Sequence, residues 1–224
     1  MSGRPVIAPH WARVRGFASR LRGCDSGLAF VEFALSLPIL LSLGLCGLEA
    51  ANLAMAHLRV SNIAMLTADN AARVRDSIDE SNVIELFTGG KMTGDTIDFR
   101  QNGRIVLSSI EVNAGGTGQW IRWQRCDGVL NAPSEIGAQD FGAANNALQS
   151  VGTGSNTISA AAGTAVIVAE VTYQYQPVVS EAIFGPRTIR AQAAFNVRQR
   201  TNQALTNTSN LTAAQIRTCN WRQP

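Results

Sequence analysis

The sequence predicts an α+β fold, in which a long N-terminal transmembrane α-helix is followed by a domain with a mainly antiparallel β-sheet. Three observations predict it. The stretch from Cys24 to Ala50, CDSGLAFVEFALSLPILLSLGLCGLEA, is apolar enough to enter a bilayer. Small and apolar residues then recur at spacings of three and four, at Leu53, Ala56, Val60, Ile63, Thr67, Ala71 and Val74. Beyond residue 103 the period changes to two, as strands require.

Residues 1–27 come first. They carry Arg4, Arg13, Arg15, Arg20 and Arg22 against Asp25, a local balance of +4. Of the chain's 19 basic and 16 acidic residues this leaves 14 and 15 to the remainder, which stands at −1. Such a body lacks the basic surface of a nucleic-acid binder. Arginines ahead of an apolar run hold that flank in the cytoplasm and send the other end across, which in a Gram-negative cell means the periplasm. The expectation is a single-pass inner-membrane protein with membrane lipid around its helix and its C-terminal domain in the periplasm.

The apolar run contains one anomaly, Glu32. Counted from Phe33 to Leu48 the charge-free segment has 16 residues, short of the roughly 20 that cross the hydrocarbon. Extending back to Leu28 encloses Glu32, at a cost of about 2.5–3.5 kcal/mol for an acid at mid-membrane. Extending forward to Ala56 crosses Glu49 instead, and length alone favours neither. The helix should continue to about Asp76, roughly 48 residues and about 72 Å. Pro38 removes one of its hydrogen bonds and can bend it. Gly47 with Ala51, and Ala50 with Ala54, place small residues four apart, as close helix packing needs. The predicted division is 1–27 leader, 28–76 helix and 77–224 exported α+β domain.

Within that domain Ser77-Ile78-Asp79-Glu80 has the form of a capping box opening a short helix that should end near Gly89-Gly90. RIVLSSIEV (104–112) and QWIRWQ (119–124) read as strands, with Trp120 and Trp123 on opposite faces. A polar, glycine-dotted region from Ala132 to Gly163 reads as loop with a short helix near 143–149. Thr164–Gln176 and Thr188–Arg198 are the longest strand signals. Alternation sets Val166, Val168, Glu170, Thr172 and Gln174 on one face. Ile167, Ala169, Val171, Tyr173 and Tyr175, on the other, should meet the helix.

Four cysteines are present. Cys24 precedes the apolar run and Cys46 lies in it, which leaves Cys126 and Cys219 in the exported body. In an oxidising compartment these two can pair; the alternative is two buried thiols. No catalytic constellation emerges. The two histidines are His10 in the leader and His57 on the helix, so neither a triad nor a histidine metal site forms in the exported domain. Asp95 and Asp98 read as a turn, and no phosphate-binding glycine loop opens a helix. The expectation is a non-enzymatic protein with no cofactor and no metal.

Three kinds of N-terminal segment remain open. A secretory signal could end at Ala54-Met55-Ala56. A lipoprotein signal fails, because Leu45 rather than a small residue precedes Cys46. The third kind ends a basic leader at a cytoplasmic glycine, and here the stretch with Gly27 five residues before Glu32, followed by VEFALSLPILL, resembles the N-terminus of type IV pilin-like proteins. It resembles more closely the TadE-like family of tight-adherence (Tad, or Flp) pilus assembly proteins. The segment 166–198, two strands around a loop with Gly185-Pro186, is similar to the end of such chains. The resemblance implies a minor pilin or pseudopilin (TadE or TadF) that a prepilin peptidase cuts after Gly27, freeing the amine of Leu28. It also implies partners among other Tad pilus subunits and the inner-membrane assembly platform. A carboxylate four residues on can pair with that amine, on its own helix or a neighbour's, so that Glu32, near Pro38, would fix register in assembly. The rival expectation is a signal-anchored or secreted periplasmic binding protein outside any pilus.

Overall fold

The computed structural model describes residues 26–153 and 156–220. Residues 1–25 of the leader, with Cys24 and His10, lie outside them. The described residues divide into two compact units, one up to Ala50 and one from Ala51. The first is the opening half of helix α1 (Ser26–Arg73).

The second unit holds the rest of α1 and, in order, β1 (Asp76–Asp79), α2 (Glu80–Thr93), a 3-10 turn (Asp95–Ile97), α3 (Phe99–Asn102), β2 (Gly103–Val112), β3 (Gln119–Gly128), β4 (Val151–Thr153), β5 (Asn156–Ile158), β6 (Val166–Tyr175), α4 (Glu181–Phe184), β7 (Arg187–Asn196) and β8 (Arg200–Thr206). The main sheet has the order β3-β2-β6-β7, antiparallel throughout. A β4–β5 hairpin is separate, and β1 pairs with β8 in parallel. The mixed helix and antiparallel sheet are as the alternation implied, and the parallel pair is an exception that it did not show.

Ile167, Ala169, Val171, Tyr173 and Tyr175 of β6 are buried with Ala56, Val60, Ile63, Ala68 and Ala72 of α1 and with Phe87 of α2. The predicted meeting of strand face and helix therefore holds. Alanines on α1 let it lie close to the sheet, while Phe87 and Phe99 fill the space at the rim. β6 runs opposite in direction to α1. Asn52 donates to the Tyr175 hydroxyl at 2.7 Å at one end. At the other, Arg198 N–H reaches Ala72 O and Val197 N–H reaches Ala165 O.

Four local expectations are corrected. The capping box sits two residues later than expected: Asp79 is the N-cap, accepting from Ser81 N–H, while Asn82 accepts from Asp79 N–H. Ser77 instead belongs to β1, because the end of the chain supplies a strand partner for it. Second, α2 does not stop at Gly89-Gly90 but runs to Thr93. A Cβ on Gly90 would stand 2.8 Å from Ile105 Cδ1 and 3.1 Å from Thr67 Oγ1, so this glycine allows helix and sheet to approach rather than ending the helix. Third, the register shifts between Ser109 and Ile110. Trp123 opposes Ser109 and Trp120 opposes Glu111, so the extra β3 residue at this bulge brings both tryptophans to one face instead of two. Trp123 is buried and donates to Gln203 O, and Trp120 is half-buried. Fourth, no helix forms at 143–149. Leu148, Val151 and Ala160 instead cover the second sheet face over Ile110, Ile121, Val166 and Val168. Asn113 holds the segment by donating to Gly142 O and Asn145 O.

Candidate membrane and assembly site

Unit one presents its apolar side chains outward. Leu28, Phe30, Phe33, Leu35, Ile39, Leu40, Leu43 and Leu48 are each more than half exposed. Burying such side chains from water is worth about 1.5–3 kcal/mol each, so this surface is suited to an apolar surrounding. By length and composition α1 can cross a membrane. It stays helical through Pro38, and its serines fold back onto it: Ser36 Oγ donates to Phe33 O and Ser42 Oγ to Pro38 O. Neither of these two hydroxyls demands an outside partner.

Gly27 and Leu28 form the first turn of this helix, and Glu32 lies one turn on. A Cβ on Gly27 would meet nothing within 4 Å, so the fold itself makes no demand for glycine there. Glu32 is exposed, and among the described residues no ion pair reaches it. In the uncut chain Leu28 has no free amine to offer. Cys46 is a free, exposed thiol.

The body is organised around its C-terminal tail. Cys126 and Cys219 form a disulfide with a Cα–Cα distance of 4.6 Å. Arg104, buried on β2, donates to Cys219 O at 2.6 Å and to Leu130 O at 3.2 Å. Asp79 binds the same tail, accepting from the Thr206 and Thr208 hydroxyls and from Thr208 N–H at 2.6 Å. Burial alone would raise the pKa of Asp79. The donors Ser209, Thr208 and Ser81 override this and hold the carboxyl far below its usual range. Sequence reading missed this role because the donors lie about 130 residues away, though an Asp directly before a helix was a visible signal. Arg200 caps the last turn of α1 through Ala71 O and Val74 O, and burial brings its pKa down to about 10.

Two buried ion pairs pin α2 to β3. Lys91 Nζ lies 3.1 Å from Asp127, and Arg125 Nε donates to both oxygens of Glu80 at 3.0 Å. On the opposite sheet face burial raises the pKa of Glu170, although Ser134 Oγ and Glu135 N–H donate to it. Asp95 pairs with Arg100 at 2.9 Å, and Asp98 occupies a left-handed position at φ 49°, so the two sit in a turn as the sequence implied. A groove of about 390 Å³ between α1 and α2 is lined by Leu66, Asn70, Asn82, Glu85 and Thr93 among others. It brings together no acid–base pair. His57 is exposed on α1. Among the described residues no three His, Cys, Asp or Glu side chains cluster as metal ligands.

No family model matches the chain, and no curated protein or solved structure matches it either.

Proposed function

We propose that the chain is a TadE-like minor pilin or pseudopilin that takes part in Tad (Flp, type IVb) pilus assembly. In this reading a prepilin peptidase cuts it after Gly27, and the first half of α1 holds it in the inner membrane with its body in the periplasm. The observation that carries the reading is the conjunction at the start of α1. A glycine that the fold does not need stands five residues before an exposed carboxylate with no ion pair among the described residues, on a half-helix whose large apolar side chains face outward. A protease pocket explains the glycine. A free amine on Leu28, of this subunit or a packed neighbour, explains the acid. The disulfide suits an oxidising compartment.

The N-terminal residue of the membrane-held protein tests the reading. Leu28 supports it, His57 favours secretion and Met1 a plain signal anchor. Gly27→Val should leave uncut precursor in the membrane. Glu32→Ala should be inserted and cut yet fail to co-purify with other pilus components; normal co-purification and piliation at normal protein levels would refute the pairing role.

A further inference from the structure

The β6–β7 connection, residues 176–186, has the sequence QPVVSEAIFGP. Val178 is 64% and Ile183 73% exposed, among the most exposed large apolar side chains of the body. The connection leaves β6 at Tyr175, whose hydroxyl accepts from Asn52. Because β6 runs opposite to α1, it emerges at the end of the body where the chain arrives from the apolar run. Asn52 lies four residues after Leu48, a separation of no more than about 14 Å even if that chain were fully extended.

Its chemistry is graded. Gln174, Gln176 and Thr188 form a polar belt at the base: Thr188 Oγ1 donates to Gln174 Oε1 and Gln176 Nε2 donates to Asn102 Oδ1. Arg187, exposed and opposite Tyr175 in register, supplies a cation at the same level. Beyond the belt the only ionisable side chain is Glu181. At the tip Phe184 N–H donates to Ser180 O and Gly185 N–H to Glu181 O. A turn with a single ionisable side chain and exposed apolar residues can enter the boundary between water and lipid, apolar side chains first.

We propose that this connection is a second membrane contact, with Val178 and Ile183 seated at the boundary between lipid headgroups and acyl chains and Arg187 facing phosphates. The inference rests on the reading of the first half of α1 as a membrane span.

The test uses the full chain with Cys24 and Cys46 changed to serine, reconstituted in vesicles of phosphatidylethanolamine and phosphatidylglycerol. A fluorophore sensitive to polarity is attached at Ile183→Cys, at Leu40→Cys for the span, or at Thr201→Cys in β8, at the opposite end of the body. The label at 183 should be quenched by nitroxide lipids, with iodide accessibility at least about fivefold below that at 201, as for a side chain at the interface. A label at 40 in lipid with one at 183 in water overturns the contact and leaves the span standing. Labels at 40 and 183 both in water overturn the span and the contact with it. A label at 183 shielded from iodide but not quenched by lipid overturns the contact in favour of a protein partner.

Discussion

The two halves of α1 share one helical geometry but bury opposite amounts of their surface. From Leu28 to Leu48 almost every large side chain is exposed, whereas Ala56, Val60, Ile63, Ala64, Ala68, Ala71 and Ala72 are essentially inaccessible. The first half is leucine and phenylalanine on all sides. The second is a buried, alanine-rich stripe, with polar residues mixed with Met55, Leu58, Met65 and Leu66 on its exposed side. A helix apolar all round needs an apolar surrounding, while a striped one supplies half of a core. Exposure, and not helicity, thus separates the two environments.

The sharpest way to break this contrast is to place one acid in each half. Ile63→Asp buries an uncompensated charge beneath the sheet and should cost more than about 4 kcal/mol, abolishing cooperative unfolding of the body. Leu40→Asp should leave the melting of the body unchanged and reduce membrane retention instead, with an insertion penalty of about 2.5–3.5 kcal/mol. Circular dichroism melts in detergent and membrane fractionation read the two effects. A tolerated Ile63→Asp would show that the second half is not core.

A smaller effect, again confined to the body, follows from opening the disulfide. Cys219→Ser should lower stability by about 4 kcal/mol in the chain-entropy description, with membrane retention unaffected. Denaturant titration of wild type and variant checks this, and equal midpoints would refute it.

The smallest effect sharpens the contrast by pH. Asp79 is held below its ordinary 3.8, so the stability that it contributes is complete above that value and lost as pH falls through and below it. Glu170 is raised above its ordinary 4.5, so its charged form opposes folding, and stability rises as pH falls toward 4.5. Melting temperatures of the full chain across pH should therefore lose their acid limb in Asp79→Asn and flatten just above pH 4.5 in Glu170→Gln. Unchanged profiles would mean that neither group is coupled to folding.

Much of this was legible in the sequence because it is periodic. The β6 face that meets the helix, the extent of α1 and the strands β2, β6 and β7 follow from spacings of two or three to four. What was not legible depends on distant partners. Ser77 reads as a cap only while β8 is unknown. Gly90 reads as a helix end until Ile105 is placed above it. The two tryptophans are assigned opposite faces by any regular strand, and only the bulge at Ser109 brings them together. The candidate site divides in the same way. Gly27 and Glu32 are local and were visible, while the Asp79 network and the Asn52–Tyr175 contact join residues more than 120 positions apart.

The parallel pairing of β1 with β8 also dictates an order of events. Thr206 Oγ1 donates to Ile78 O across 128 residues, and Cys219 closes onto β3 later still. The first strand of the body to leave the ribosome is therefore completed by the last. Until the tail arrives, β1 has a bare edge and Asp79 has lost its most distant donors, the state in which chains pair wrongly or are seized by chaperones. Closure across so many residues slows this step of folding relative to the pairing of neighbouring strands. A ribosome stalled before residue 219 would leave a body that is tethered at its helix and still open.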